Sequence, residues 1–209
     1  MAEDIVLTIA AEVAAIVRPG SCTLGGLAVR TNADGLDEAL DAAAQRARTS
    51  TEAAEVTTAV RSMYKVVGLD PTKVRPSSEA LLRRVRRGEP LPRINTAVDV
   101  VNWCSMESQL PFGLYDADRL SGDAVLRLGR TGETYAGIRK DVVNVAARLT
   151  VADDAGPFGN PTSDSARTMV TTTTTRVFVV IFAPVTVPLA QVDRTLSATR
   201  DRLGRYCAP

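Results

Sequence analysis

Three polar residues in the middle of the sequence have the types and the spacing of a ligand-binding site. Asn95, Asp99 and Asn102 stand four and three residues apart, so a helix places them along one stripe, which Met106 extends. Apolar residues flank the stripe closely, and we expect it to be partly buried. A buried amide or carboxylate needs hydrogen-bond partners in the protein or in a ligand. The stripe is therefore either a binding site or a set of ties between the helix and neighbouring loops.

A dense basic cluster comes just before this stripe. Its members are Arg83, Arg84, Arg86, Arg87 and Arg93. Arginines at this density can hold phosphate groups, which gives binding that is salt-dependent and independent of base sequence. A solvated helix face is the alternative. The chain has 25 Lys and Arg residues against 24 Asp and Glu, a net charge of +1, so any contact with nucleic acid must rest on this local cluster.

The sequence excludes several kinds of catalytic site. It contains no histidine, which removes the commonest general base, Ser-His and Cys-His nucleophiles and the usual zinc ligands. Its three cysteines, Cys22, Cys104 and Cys207, lack metal-ligand spacing and are expected to be reduced thiols. We expect no metal and no cofactor. The acidic start Met-Ala-Glu-Asp is unlike a secretory signal and the longest apolar run, 177–183, is too short for a membrane span, so we expect a cytoplasmic protein.

Helices are predicted for much of the first half. The residues from Leu36 to Lys65 favour helix, and Thr49-Ser50-Thr51 divides them in two, with a serine or threonine capping the second helix. A third helix follows Ser77 or Ser78, and a fourth runs from an N-cap at Asn95 or Thr96 to about Ser108. A short alanine-rich helix is predicted from Ile9 to Val17.

The second half is predicted to be rich in β-strands and to end in a helix. Strands are expected at Cys22 to Thr31, Asp123 to Leu128, Glu133 to Ile138 and Val142 to Val151. The segment from Asp153 to Ser165 consists of turn residues and is predicted to form a long exposed loop. A hairpin is expected between Arg167 to Thr172 and Thr175 to Ala183. Leu189 to Tyr206 is predicted to be an amphipathic helix with Leu189, Val192, Leu196 and Leu203 inward.

The segment from Leu69 to Gly129 resembles the B3/B4 domain of the phenylalanyl-tRNA synthetase β subunit, and more closely the free-standing B3/B4-domain proteins of bacteria. The shared motifs are Arg75 to Glu79, Asn95 to Asn102, Leu110 to Asp116, Gly122-Asp123 and Leu126 to Leu128. The resemblance implies an α/β (α+β) fold, with a mixed sheet, flanking helices, a helical first half and a β-rich second half. It also implies that residues 1–209 form a single B3/B4-like domain.

The resemblance implies an editing site as well, since this domain of the synthetase hydrolyses mischarged tyrosyl-tRNA. Asn102 falls on an asparagine of the family site, and Gly113 stands where bacterial synthetases have a histidine. Val101 replaces a frequent threonine. The glutamate that reads the tyrosine hydroxyl has no assigned position in this sequence.

We therefore assign candidate roles to two groups of residues. Asn102 and Asp99 would orient the ligand or a water molecule. The substrate-binding candidates are Gly113, for close backbone approach, the threonine hydroxyls of Thr171 and Thr174, and Asn95, Tyr115 and Asp116. The arginines from Arg83 to Arg93 would hold tRNA phosphates, and an amino acid would occupy the pocket.

Three functions remain open from the sequence. The first is a trans-acting editing deacylase that hydrolyses mischarged aminoacyl-tRNA. The second is a non-catalytic tRNA- or RNA-binding module, and the third is a pocket for an amino acid or a related metabolite. The sequence shows no class II catalytic core, so we do not expect aminoacylation by this chain alone.

Overall fold

The computed structural model of the protein describes residues 3–138 and 140–209, without the side chains of residues 140 and 141. The helices are α1 (Leu36–Thr49), α2 (Ala54–Val66), α3 (Ser77–Arg86), α4 (Thr96–Ser108) and α5 (Leu189–Tyr206). The predicted division of residues 36–65 into two helices is confirmed. The predicted Ser or Thr cap of the second helix is wrong, because α2 begins after Ala53 and has no side-chain cap.

The described strands form three sheets. They are β1 (Leu7–Ile9), β2 (Gly20–Leu24), β3 (Phe112–Asp116), β4 (Ala124–Leu128), β5 (Thr134–Gly137), β6 (Lys140–Asn144), β7 (Leu149–Asp153), β8 (Gly156–Asn160), β9 (Ser163–Asp164) and β10 (Val177–Ile181). A five-stranded sheet has the order β1-β4-β7-β8-β9, a three-stranded sheet has the order β2-β10-β3, and β5 pairs with β6. Because β1 is parallel to β4 and the other pairs are antiparallel, the larger sheet is mixed. The predicted α/β (α+β) class is confirmed.

Helix α4 begins and ends as its local chemistry requires. The Oδ1 atom of Asn95 accepts the backbone N–H of Val98 at 3.0 Å, which satisfies one of the free donors at the helix start. The helix stops at Gln109, whose φ of 59° is left-handed and whose Nε2 donates to the carbonyl of Met106 at 2.7 Å. Between Thr96 and Met106 all residues are buried except Val98 and Asn102, which are half-buried.

Strand β10 is the centre of the smaller sheet and all five of its residues are fully buried. It pairs antiparallel with β2 on one side and with β3 on the other. The predicted strand is thus confirmed, but the predicted hairpin with residues 167–172 is wrong. Residues 166–168 form a short 3-10 turn instead. Apolar periodicity identifies a buried strand without specifying its partners.

Two predictions for the N-terminal segment also differ from the structure. Residues 11–16 form hydrogen-bonded turns rather than a helix, because the segment between β1 and the bridge of Val17 to Pro184 is too short to sustain one. The predicted strand from Cys22 to Thr31 ends at Leu24, where its pairing with β10 stops.

The predicted loop from Asp153 to Ser165 is wrong, because this segment contains β8 and β9. Phe158 is fully buried and packs edge-on against the Tyr115 ring, with ring centres 4.7 Å apart. An added Cβ at Gly159 would lie 2.2 Å from the Tyr115 hydroxyl, so this glycine allows a side chain to approach a strand closely. Some of the residues that predicted a loop are therefore strand residues, and they occur in the strand because a neighbouring side chain packs closely against it.

The remaining differences are smaller. The predicted strand from Val142 to Val151 is divided between β6 and β7, which a turn separates. The closing helix has the predicted limits, Leu189 and Tyr206, and buries Val192 and Leu203. Leu189 is exposed rather than inward, because it is the first residue of α5 and lies beyond the packed face.

Candidate ligand-binding site

A cavity of about 360 Å³ lies between α4, β3 and β9. Its apolar walls include Val98 and Val101 from α4, Phe112 and Leu114 from β3, and Val170. The volume is within the range of small-molecule sites, which combine mostly apolar walls with a few polar groups. Val98 and Asn102, the two half-buried residues between Thr96 and Met106, both line it.

Most hydroxyl groups that line the cavity already have partners. The Ser105 hydroxyl donates to the carbonyl of Leu110 at 2.7 Å, and the Ser77 hydroxyl donates to that of Pro161 at 3.3 Å. The Thr162 hydroxyl lies 3.0 Å from that of Tyr64. The bonds of Ser77 and Tyr64 join α3 and α2 to the segment before β9, and the bond of Ser105 joins α4 to the residues before β3. These hydroxyls therefore fix the shape of the cavity rather than offering free donors.

The side-chain amide of Asn102 differs from these hydroxyls. It makes no hydrogen bond to any residue within the described ranges, and it is half-buried in the cavity wall. An amide supplies both a donor and an acceptor, and a partly buried amide without protein partners can bond to water or to a ligand. Asn102 is therefore the polar group of α4 that a ligand can use.

Asp164 brings a carboxyl group to the same cavity, from β9. The residue is half-buried overall, but its Oδ1 atom is shielded from solvent and has no hydrogen-bond partner within the described ranges. The Tyr115 hydroxyl is a close neighbour of this carboxyl group. It is likewise buried and makes no hydrogen bond within the described ranges. Burial raises the pKa of Asp164 to about 7, although the Tyr115 hydroxyl and the Leu114 backbone N–H act in the opposite direction.

Apolar side chains are exposed at the mouth of the cavity. Ile94 is 47% exposed and Met169 is 36% exposed, and both line the cavity. Single exposed apolar residues are common, but two at the opening of an apolar cavity favour contact with an apolar ligand group.

The part of the chain that the structure describes has neither a metal-binding cluster nor a membrane-spanning helix. It contains no group of three or more His, Cys, Asp or Glu residues able to hold a metal ion. It also contains no helix with the length and hydropathy needed to cross a membrane.

Comparison with known proteins identifies the family. A family model described as the B3/4 domain matches residues 59–206. The chain belongs to the B3/4 domain family. The β subunit of phenylalanine–tRNA ligase from Cutibacterium acnes is 33% identical over 131 residues, which are 61% of this chain and 16% of that subunit. The corresponding subunit from Neisseria gonorrhoeae is 38% identical over 64 residues, or 30% of this chain and 8% of that subunit.

The curated relatives are therefore much longer than this B3/4 chain, which matches a small fraction of each. Among solved structures, an N-terminal fragment of the phenylalanyl-tRNA synthetase β subunit from Pyrococcus horikoshii has 12% sequence identity and a TM-score of 0.49. The superposition covers 95% of this chain and 48% of that fragment.

The polar stripe predicted on α4 does not line the cavity of this B3/4 domain as a unit. Asn95 caps the helix, and its Nδ2 donates to the Val170 carbonyl at 3.4 Å. Asp99 is buried, and its carboxylate accepts the backbone N–H of Ile94 at 2.8 Å and the Arg93 Nε at 3.0 Å. Of the stripe, the structure places only Asn102 at the cavity, while Asn95 and Asp99 hold the start of the helix.

Gly113 and Tyr115 lie on β3 but outside the cavity lining. An added Cβ at Gly113 would lie 2.0 Å from the Tyr115 hydroxyl. The space that a side chain would need is occupied by the buried tyrosine ring, so a ligand does not meet the backbone at Gly113. The ring also packs against Phe158 and, at 6.4 Å between centres, against Phe178.

Asp116, Thr171 and Thr174 form a hydrogen-bonded network away from the cavity. The Thr174 hydroxyl donates to Asp116 Oδ2 at 2.7 Å and accepts the backbone N–H of Thr171 at 3.0 Å. These bonds hold the threonine-rich turn against the end of β3, and none of the three residues lines the cavity.

The predicted arginine cluster is divided in the structure. Arg84 and Arg87 both pair with Glu89, at 3.1 and 2.8 Å. Arg93 pairs with Asp37 and with buried Asp99. Arg83 has no ion pair within the described ranges, and Arg86 donates to the Ser50 carbonyl at 2.8 Å. The last two therefore remain available for other anions.

Asp164 is the site residue that sequence reasoning missed. It falls in the segment interpreted as a loop, and a single aspartate among Gly, Pro, Asn and Ser predicts a turn rather than a buried carboxyl group. Phe158, an isolated aromatic residue six positions earlier, is the signal that could have indicated buried strand in this segment.

Proposed function

We propose that this B3/4 chain is a trans-acting editing deacylase that hydrolyses mischarged aminoacyl-tRNA. The observation that carries the proposal is the cavity, in which the Asn102 amide, without a hydrogen-bond partner among the described residues, adjoins apolar walls. Relationship to the phenylalanine–tRNA ligase β subunits supports a tRNA-linked substrate. The acyl group of the substrate would enter the cavity between Ile94 and Met169.

The proposed chemistry makes modest demands on the protein. The ester between an amino acid and a tRNA ribose is already activated, so a site that holds the acyl group and a water molecule in position accelerates hydrolysis. The Asn102 amide would orient the ester carbonyl or the attacking water. A hydroxyl of the terminal ribose would assist in place of a protein base, which is consistent with a chain that has no histidine.

Asp164 would determine which acyl groups are accepted. It is the acidic group among the cavity residues that the structure describes, and a carboxylate favours ligands that carry a hydrogen-bond donor. The resemblance left the acidic residue that reads a tyrosine hydroxyl without a position, and Asp164 supplies a carboxyl group at this cavity. We therefore expect discrimination between acyl side chains with and without a hydroxyl group.

We also propose that residues 3–58 belong to the same domain as the segment matched by the family model. Strand β1 pairs with β4, β2 pairs with β10, and α1 packs against α3 and α4. These contacts join the early segment to both sheets, which supports a single B3/4 domain over 1–209.

The test is hydrolysis of a panel of mischarged tRNAs by the purified chain. We expect at least one member to be hydrolysed faster than its spontaneous rate, and Asn102→Ala to slow that reaction by about 10²-fold, as for the loss of one oriented hydrogen-bonding group. Asn32→Ala, which changes an exposed asparagine before α1, is the matched control and should leave the rate unchanged. A panel with no accelerated member rejects the deacylase.

A pocket for a free amino acid or metabolite is the second candidate. It is favoured by the ion pairs that neutralise Arg84, Arg87 and Arg93, because these leave fewer charges for RNA. Calorimetric titration with free amino acids distinguishes it: binding that Asn102→Ala abolishes, without deacylation and without tRNA binding, would establish it. Binding of tRNA without deacylation would instead establish the non-catalytic RNA-binding module.

A further inference from the structure

A second depression, of about 950 Å³, lies between α1, α2, α3 and the C-terminal end of α4. Three arginines line it: Arg46 from α1, and Arg83 and Arg86 from α3. Residues 49–51, Thr-Ser-Thr, form part of its rim. We call it the arginine cleft. It is separate from the cavity described above and shares no lining residue with it.

The arginines at the end of α3 differ in their surroundings. Arg83 and Arg86 line the cleft. Arg84 and Arg87, which follows the last residue of α3, do not line it and share Glu89 as their partner. Thus the sequence cluster contains one pair whose charge is compensated locally and one pair whose charge faces an open cleft.

The lining of the cleft contains three arginines and three glutamates, but two of the glutamates are already paired. Its acidic lining residues are Glu52, Glu79 and Glu107. Glu79 is held by Arg61 and Arg75, and Glu107 by Arg46 and Arg202. Arg83 and Arg86 make no ion pair within the described residues, so two arginines of the lining keep an uncompensated charge against one glutamate, Glu52, that is likewise outside any described ion pair.

We propose that the arginine cleft binds phosphate groups of an RNA strand, namely the tRNA whose acylated end occupies the cavity. The identity of the RNA rests on the proposed function. Arginine guanidinium groups match phosphate geometry, and the exposed Thr49 and Thr51 hydroxyls add neutral donors. On α4, Ser105 faces the cavity while its neighbour Met106 faces the cleft, so one strand can follow the end of α4 from the cleft to the cavity.

The experiment measures, by fluorescence anisotropy, the affinity of the chain for labelled, unacylated tRNA at salt concentrations from about 50 to about 200 mM. Binding that rests on phosphate contacts weakens steeply over this range. Arg83→Gln/Arg86→Gln removes the cleft pair. Arg84→Gln/Arg87→Gln removes the same number of charges from neighbouring arginines that pair with Glu89 and do not line the cleft. We expect the first variant to weaken binding about tenfold or more and to lower the salt slope by one to two, and the second to change affinity less than about twofold.

The single substitution Arg83→Glu tests whether a loss of binding comes from a loss of folding. It should not destabilise the chain, because Arg83 makes no ion pair within the described ranges. It should weaken tRNA binding while leaving the melting temperature unchanged. Equal losses for the two double variants, no loss for either, or no tRNA binding by the unmodified chain would each overturn the proposal.

The outcome is separable from that of the deacylase test. If the cleft variant loses tRNA binding and no mischarged tRNA is hydrolysed, the cleft stands and the deacylase fails. If hydrolysis is observed but the cleft variant retains the KM for tRNA of the unmodified chain, the cleft fails and the deacylase stands.

Discussion

At the scale of single residues, the function proposed here depends on two polar side chains that sequence analysis treated very differently. Asn102 is part of a recognisable helical pattern, and the structure places it in the cavity wall with no hydrogen bond to the part of the chain that it describes. Asp164 lies in a segment of turn residues, and only the pairing of β8 with β9 brings it to the cavity. The spacing of polar residues along one helix can be recognised in the sequence. The approach of a carboxyl group from a distant segment cannot.

The raised pKa of Asp164 predicts a pH-dependent stability. Between about pH 4 and pH 7 the folded chain keeps this proton while the unfolded chain loses it, so the free energy of unfolding falls as the pH rises through this window. Asp164→Asn should remove that fall and raise the free energy of unfolding at pH 8 by roughly 1–3 kcal/mol. Urea denaturation from pH 4 to pH 8 measures both effects.

The control for this prediction is Asp34→Asn, which changes an exposed carboxyl group in a turn. It should preserve the pH profile of the unmodified chain. An unchanged profile for Asp164→Asn would mean that Asp164 titrates alike in the folded and unfolded chain.

Gly113 gives a second prediction at this scale. The Cβ of Gly113→Ala would overlap the buried Tyr115 ring, so we expect a loss of about 1–3 kcal/mol in the free energy of unfolding. Replacement by histidine, the residue of the bacterial synthetase motif, should destabilise the chain further instead of restoring a catalytic group. Gly204→Ala, in an open position of α5, is the control and should be neutral or stabilising. Equal effects at the two glycines would show that Tyr115 moves aside easily.

At the scale of elements, helices were predicted well and strand pairing was not. Helices α1, α2 and α5 carry their own signals in composition and apolar periodicity, and α4 carries one in its Asn95 cap, although the helix predicted from Ile9 to Val17 did not form. Strand β8 was missed because its glycines and proline mimic turn chemistry, although Gly159 serves to admit the Tyr115 hydroxyl. Strand β9 was missed because its two polar residues, Ser163 and Asp164, give no strand pattern. The partners of β10 lie far away in sequence, and local patterns contain no information about them.

Asn95 and Asn102 are expected to differ in their effect on the free energy of unfolding. Asn95→Ala removes the N-cap bond to Val98 and the bond to the Val170 carbonyl, and should cost about 1–2 kcal/mol of unfolding free energy. Asn102→Ala removes no bond within the described ranges and should leave the unfolding free energy within about 0.5 kcal/mol of the unmodified chain. Thermal denaturation of the two variants checks the contrast. A large loss of stability for Asn102→Ala would indicate a structural role.

At the scale of the whole molecule, all three cysteines are free and buried, as predicted from their number and spacing. Burial raises the pKa of the Cys22 thiol to about 11 and also raises those of Cys104 and Cys207. We expect a thiol reagent at pH 8 to leave the native chain unmodified and to label three thiols per chain in denaturant. Rapid labelling of any cysteine in the native chain would contradict the packing described around it.

The position of β10 has a consequence for how the protein is made. Its two neighbours, β2 and β3, precede it by about 150 and about 65 residues, and such separations slow folding because long loops must close first. During synthesis on the ribosome, both neighbouring strands emerge well before the strand that joins them, and their edges stay unpaired in the meantime. The nascent chain therefore passes through a period in which apolar strand edges are open to aggregation and to chaperones.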